Sequence, residues 1–135
     1  MAEQTQKEVK TFSVEQAQKA LVYLRPILEE LREQFREFNE LREQLGRTEG
    51  PRGKAREDAI DRLEVVKGLL VNGSDEVEQV GVQVKSFDEG LIDFPYRRSN
   101  GKIALLCFKL GENLITHWHD EEGGLAARQP LATLD

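Results

Sequence analysis

The hydrophobic residues of this chain change their spacing at Gly81, and this change limits the fold more than any other feature of the sequence. Before Gly81 they recur every three or four residues, which is the period of an amphipathic helix. After it, as in Val82-Gln83-Val84-Lys85, they alternate with polar residues, as in a half-buried strand. The sequence therefore predicts an α+β fold. We expect one domain, residues 1–135, in which a helical hairpin (residues 11–80) precedes an antiparallel sheet and a tail (residues 81–131).

The first helix is predicted over residues 14–45. Ser13 and Gln16 have the spacing of a capping box at its start. An apolar seam then continues through the whole range in steps of three and four residues. Pro26 lies within this seam, and we expect a kink there because proline lacks an amide proton and crowds the preceding turn. Residues 1–10 are polar and are expected to form a frayed tail.

The second helix is predicted over residues 54–71, after a loop rich in glycine that covers residues 46–53. Asn72-Gly73 should end this helix, and residues 74–77 could form one more short turn. A short loop between two helices that each carry a seam implies an antiparallel hairpin. Because the first helix is predicted to be much longer than the second, part of its seam needs another partner, either the sheet or a second chain.

The second half of the chain predicts a four-stranded antiparallel meander. The strands are expected over residues 82–87, 91–94, 103–110 and 114–119. Asn100-Gly101 is a strong hairpin signal between the second and third of them. The strand at 103–110 is apolar on both faces, so we expect it to be central and covered on both sides. A dimer interface is the natural candidate for the second cover.

His117 and His119 are the two histidines of the chain, and in a strand they project from the same face while Trp118 points away. Such a pair can place two imidazoles on one divalent metal such as zinc. A third ligand is then needed, and Glu121 or Glu122, on the bend before a Gly-Gly pair, is well placed. The competing interpretation is a pair of partly exposed histidines with a structural role.

Asp93 is a candidate for the same face as the histidines. If both hairpin loops contain an even number of residues, residues 106 and 108 share that face, and so does Asp93. An odd loop in either hairpin removes this relation. Since Asp93 lies two strands away, about 10 Å at backbone level, we expect it to support the metal ligands or to contact a substrate rather than to be a ligand.

Arg128 and Cys107 are two further candidates for a role in the site. Arg128 can bind an anion or a carboxylate through two parallel hydrogen bonds, or it can tie the tail to Asp120 or Glu122. Cys107 lies in the middle of an apolar strand, and we interpret it as a core residue, because a reactive thiol needs access and a low pKa.

The charge of the chain argues against two classes of partner. Its net charge of −6 disfavours nucleic acid. No stretch approaches the ~20 apolar residues needed to cross a bilayer, and the N-terminus lacks the apolar core of a signal peptide. A single cysteine fits a reducing compartment. The sequence thus predicts a soluble, cytoplasmic protein that binds neither nucleic acid nor membrane.

Several segments of the chain resemble one known family. They are Thr11 to Ala17, Leu24 to Leu28, Gly81 to Lys85, Gly90-Leu91-Ile92-Asp93-Phe94-Pro95, Trp118-His119 and Arg128-Gln129-Pro130-Leu131. These segments resemble the bacterial family called domain of unknown function 2203 over roughly residues 11–131. The resemblance implies a small, prokaryotic, cytosolic protein without an established activity. It marks Asp93, His119 and Arg128 as a constellation and assigns none of them a role.

Two functional hypotheses follow. The leading one is a non-enzymatic module that forms a homo-oligomer through the seam of the first helix and the second face of the sheet. The alternative is an enzyme or ligand-binding protein that uses a divalent metal on His117, His119 and Glu122, with Asp93 and Arg128 contacting a small-molecule ligand. Neither hypothesis identifies a substrate.

Overall fold

The computed structural model describes residues 9–135, so most of the predicted frayed tail, residues 1–10, lies outside the described residues. Two helices are followed by five antiparallel strands, which lie side by side in sequence order. The elements are α1 (Val14–Gly46), α2 (Gly53–Val80), β1 (Gln83–Ser86), β2 (Leu91–Arg97), β3 (Ile103–Lys109), β4 (His117–Asp120) and β5 (Gln129–Pro130). This confirms the α+β class and the antiparallel sheet. The sheet has one strand more than predicted, because part of the tail pairs with β4 as β5.

Helix α1 begins and continues as its sequence predicts. The Ser13 hydroxyl accepts a hydrogen bond from the Gln16 amide at 3.0 Å, and the Gln16 side chain accepts one from the Ser13 amide at 2.9 Å. The capping box therefore satisfies two amide groups that have no partner within the helix. The helix passes through Pro26 without interruption. None of the described helices has the length and apolar character that a membrane crossing requires.

Helix α2 is longer than predicted, and the expected end at Asn72-Gly73 is wrong. Residues 74–77 continue the helix, because the buried face marked by Val66 and Leu70 extends to Val77. The helix ends at Gly81, whose φ of 100° is left-handed and therefore favours glycine. With 33 and 28 residues the two helices are similar in length, so α2 covers more of the α1 seam than expected.

Gly73 of α2 packs against Leu31 of α1. A Cβ atom at this position would lie 2.6 Å from the Cδ2 atom of Leu31, which is buried on α1. The glycine is therefore required by the contact between the helices and does not break the helix. Its presence in α2 reflects tertiary packing that outweighs local helix propensity.

The sheet packs one face against the helices. The core that joins them includes Leu21, Leu24 and Leu28 of α1, Phe94 of β2, Leu106 and Phe108 of β3, and Trp118 of β4. Five residues, 98–102, connect β2 to β3, and seven residues, 110–116, connect β3 to β4. Both loops are therefore odd in length, and this sets which residues share the opposite face.

Strand β4 begins at His117, so the prediction that it starts at Leu114 is wrong. Ile115 is buried, but its backbone does not pair with β3. Its amide donates to the Gln18 side-chain oxygen at 3.0 Å, and its carbonyl accepts from the Gln18 side-chain nitrogen at 2.9 Å. A side chain of α1 thus takes the place of a neighbouring strand at this position.

Strand β3 is central and covered on both faces, as predicted. The face turned away from the helices is covered by the chain's own tail at the position of Leu105 and Cys107. Gly123 and Leu125 line a cavity together with Leu105, and Arg128 donates a hydrogen bond to the Cys107 carbonyl. A second chain is therefore not needed to cover this part of the sheet.

The Gly73 contact leads to a test with a matched control in the same helix. Gly73→Ala should lower the free energy of unfolding by about 1 kcal/mol, because overpacking against Leu31 outweighs the gain in helix propensity. Gly68→Ala should raise it by about 0.5–1 kcal/mol, since Gly68 is exposed and has no atom within 4 Å of the added Cβ. Urea denaturation of both variants measures the difference. Equal effects would show that the close approach at Gly73 is not a constraint.

Candidate functional site

The tail-covered face of the sheet carries the candidate site, and the odd length of both hairpin loops determines its composition. Both loops are odd, so the condition under which residues 106 and 108 would share the histidine face is not met, and the two residues point to the helix side. Leu105 and Cys107 take their place. Asp93 remains on the histidine face. Each odd loop reverses which residues of the next strand point to that face, and two reversals restore the original assignment for Asp93.

His119 and Asp93 meet across the sheet although two strand spacings separate their backbones. His119 lies opposite Leu105, and Asp93 lies opposite Cys107. The imidazole crosses β3 diagonally, and its Nε2 atom lies 3.2 Å from the Asp93 Oδ1 atom. The two side chains are buried, since Asp93 is 1% exposed and His119 is 2% exposed. Asp93 therefore contacts His119 directly and is close enough to bind the same ion.

The other ring nitrogen of His119 fixes the tautomer of a neutral imidazole. Its Nδ1 atom lies 2.7 Å from the Asp120 carbonyl oxygen, which can only accept a hydrogen bond. Nδ1 must therefore carry the proton, and the lone pair of Nε2 then points at the Asp93 carboxylate. Two acceptors 3.2 Å apart in a buried position repel each other unless a cation lies between them. The contact is relieved either by a proton, carried by the imidazole or by the Asp93 carboxyl group, or by a metal ion.

Cys107 supplies a third donor atom to the same point. Donor atoms of Asp93, Cys107 and His119 all lie within 4.8 Å of one another, and this is the one such group among residues 9–135. Burial raises the pKa of the Cys107 thiol to about 12, and the charge of Asp93 acts in the same direction. A divalent ion would reverse this effect, because a thiol that binds a metal is deprotonated.

The distance between His119 and Asp93 fits two ligands of a tetrahedral ion. Two nitrogen or oxygen ligands about 2.0–2.1 Å from zinc are about 3.3 Å apart at tetrahedral angles. The 3.2 Å between His119 Nε2 and Asp93 Oδ1 agrees with this separation. Histidines that bind metals almost always donate the other ring N–H to a carbonyl or carboxylate, as His119 does to Asp120.

The structure does not assemble the predicted ligand set of His117, His119 and Glu122. His117 projects from the same face of β4, but its Nδ1 atom lies 2.8 Å from the Thr116 hydroxyl, and it does not belong to the group of donor atoms. Glu122 is exposed and lines a separate surface basin with Arg98. Of the three predicted ligands, His119 alone lies in the group.

The sequence interpretation missed Cys107, because it treated the residue as part of the core. The residue is indeed completely buried, but its side chain lies on the face that Asp93 and His119 share. Only the parity of the loops could have revealed this, because it decides whether residue 106 or residue 107 faces the histidines. The Asn100-Gly101 signal favoured a two-residue loop, and the five residues that connect the strands reverse the assignment.

A cavity of about 160 Å³ adjoins the group, with Asp93 and His119 among its walls. The tail closes one side of it with Gly123 and Gly124. The tail lies close to the histidine, since a Cβ atom at Gly123 would lie 3.5 Å from the His119 Cβ and 3.0 Å from the Ala127 Cβ. The donor atoms are therefore buried but have a ligand-sized space beside them.

Arg128 holds the tail in place, with a different partner from the ones proposed. Its guanidinium donates to the Glu112 carboxylate at 2.9 and 2.8 Å and to the Cys107 carbonyl at 3.1 Å. Burial raises the pKa of Glu112, but the hydrogen bonds from Arg128 and from the Lys109 amide outweigh it and leave the pKa lowered. The carboxylate therefore stays charged and pairs with Arg128. Asp120, one of the two expected partners, lies near Arg98 instead.

Comparison with known proteins places this site within a family. No curated protein and no solved structure matches the chain. The profile of the uncharacterized conserved protein family DUF2203 matches residues 10–131. This range contains Asp93, Cys107, His119 and Arg128 and nearly all of the described structure. The chain therefore belongs to the DUF2203 family, as the resemblance of its motifs implies.

Proposed function

We propose that this protein binds a divalent metal of the zinc class at Asp93, Cys107 and His119, and that the ion binds or activates a small ligand in the adjoining cavity. The observation that carries the proposal is the convergence of three buried donor atoms, from Asp93, Cys107 and His119, within 4.8 Å of one another, with His119 Nε2 3.2 Å from the Asp93 carboxylate. A metal ion turns this unfavourable contact between two acceptors into shared coordination.

The chemistry of the three donors favours zinc among the common divalent ions. Thiolate, imidazole and carboxylate together are typical zinc ligands, whereas magnesium and calcium prefer oxygen alone. Two anionic ligands also balance the charge of a divalent ion, which lowers the cost of burying it. A thiolate that must remain reduced suits the cytoplasmic location expected from the sequence.

Three protein ligands are typical of catalytic zinc sites, which keep a fourth position for water or substrate. Asp93 and His119 line the cavity, so the fourth position would face it. An ion there would polarise a carbonyl oxygen or lower the pKa of a bound water to about 7. The protein would supply the ligands, the fixed tautomer of His119 and a space closed by the tail.

Metal content of variants tests the proposal. Protein purified without an affinity tag should bind about one zinc or cobalt ion per chain. His119→Ala should weaken metal binding more than about 100-fold. Even the loss of a group that only hydrogen-bonds to a metal ligand lowers metal affinity about 10–100-fold. Cobalt-loaded protein should show a thiolate charge-transfer absorption band that Cys107→Ser abolishes. Elemental analysis and visible absorption measure these effects, and circular dichroism confirms that each variant is folded.

His117→Ala is the matched control, because His117 lies on the same strand and face but outside the donor group. This variant and Glu122→Gln should bind metal as the wild type does. Loss of metal in these variants but not in Cys107→Ser would favour the ligand set predicted from the sequence. Less than ~0.2 metal per chain in the wild type, with no thiolate band on adding cobalt, would contradict the proposal and leave a His119–Asp93 ion pair as the explanation.

Self-association remains a second proposal, and one surface favours it. An apolar groove of about 380 Å³ lies between the helices and the turn after β1, where Phe35, Phe38, Val71 and Phe87 line it. The same groove carries Lys67 and Asp75, and a twofold pairing of two copies could set these opposite charges against each other. We therefore propose a second copy of the chain as the partner for this groove.

Light scattering after size exclusion tests this second proposal. The wild type should behave as a dimer at micromolar concentration, and Val71→Asp should shift it to a monomer by placing a charge in the apolar groove. Val65→Asp is the control, because Val65 and Val71 are both 53% exposed on α2 but Val65 lies outside the groove. A monomeric wild type, or equal effects of the two substitutions, would contradict it.

A further inference from the structure

We infer that the cavity beside the donor group takes a small zwitterion, namely an amino acid with a short aliphatic side chain. This inference rests on the proposed metal site and adds the class of its ligand. It depends on four properties of the cavity: its position relative to the donors, its volume, its apolar walls and the two opposite charges that border it.

The position of the cavity gives the ligand access to the ion. Asp93 and His119 border the cavity, whereas Cys107 does not. A three-coordinate ion therefore has its open position on the cavity side, where a carboxylate oxygen of the ligand can bind it. The first contact of the ligand is thus with the metal.

The volume limits the size of the ligand. Cavities for drug-sized molecules measure about 300–1,000 Å³, and this one measures about 160 Å³. The cavity is therefore about half the size of the smallest of these, which favours a small molecule such as an amino acid over a nucleotide, a sugar phosphate or a peptide.

The walls and the charges limit the chemistry of the ligand. Leu91, Leu105 and Leu125 supply apolar surface, which favours a hydrocarbon side chain. Lys85 and Glu121 supply one positive and one negative group. Lys85 lies on β1 and Glu121 follows β4, so the two side chains border the cavity from opposite ends of the strand order.

The charge balance favours a zwitterion over a simple anion. A divalent ion with the Asp93 carboxylate and the Cys107 thiolate has no net charge, and Lys85 and Glu121 cancel each other. A ligand with one negative and one positive group can pair with both side chains. A ligand with a negative group alone would leave Glu121 unpaired and facing like charge, which disfavours its binding.

Three small molecules that share a branched carbon skeleton and differ in their charged groups test this inference on cobalt-loaded protein. They are L-valine, isovalerate, which lacks the ammonium group, and isobutylamine, which lacks the carboxylate. Valine should change the visible d–d bands of cobalt while the thiolate band remains, and it should bind more tightly than the other two. Glu121→Gln should weaken valine binding about three- to fivefold, as expected for an exposed ion pair, and should strengthen isovalerate binding because it removes the like charge.

Neighbouring charged residues outside the cavity are the controls. Glu122→Gln and Lys102→Gln should not change valine binding, whereas Lys85→Gln should weaken the binding of valine and isovalerate but not of isobutylamine. If the thiolate band appears with cobalt but valine leaves the d–d bands unchanged, this inference is overturned and the metal site stands. Tighter binding of isovalerate than of valine would also overturn it. Absence of the thiolate band would refute the metal site itself.

Discussion

A buried imidazole can donate only one hydrogen bond while it is neutral, and this limit governs the candidate site. The carbonyl of Asp120 takes the single proton of His119, so the second nitrogen meets the Asp93 carboxylate as an acceptor. Both side chains are almost completely buried, so an unrelieved contact between two acceptors is costly. A proton or a metal ion must lie between them. The nearby Cys107 thiol and the open cavity make the metal ion the better explanation.

The rest of the fold maintains this contact. The register of β2, β3 and β4 places the three donor residues on one face, and the helical hairpin fills the opposite face with an apolar core. The tail covers the donor side, and the Arg128–Glu112 pair fastens it beside β3. Arg128 thus contacts the site through the backbone carbonyl of Cys107. The constellation of Asp93, His119 and Arg128 in the family motifs has a structural explanation in these contacts.

The sequence predicted the parts of the fold that depend on periodicity. The capping box, the long first helix, the change at Gly81 and the central strand β3 follow from patterns within single segments. The end of α2 could not be predicted in this way, because Gly73 signals a break locally but serves the contact with Leu31. The start of β4 depends similarly on Gln18, which lies almost a hundred residues earlier and replaces a strand partner.

The site was harder to predict than the fold because it depends on contacts between residues that are distant in the sequence. His119 and Asp93 carry recognisable chemistry, but their meeting depends on the number of residues in two loops, and one residue more or less turns a strand over. Cys107 resembled a core residue because a cysteine in an apolar strand is usually part of the hydrophobic core. His117 and Glu122 appeared to be ligands because they are close in sequence. In the structure the donors come from three different strands.

The protonation state of His119 tests the central claim most directly. Nuclear magnetic resonance of the imidazole nitrogens can follow Nδ1 and Nε2 separately while zinc is added in equal amount to the metal-free protein. We expect Nδ1 to stay protonated and the Nε2 signal to move to the position of a metal-bound nitrogen. An imidazole that carries protons on both nitrogens and does not respond to zinc would contradict the claim.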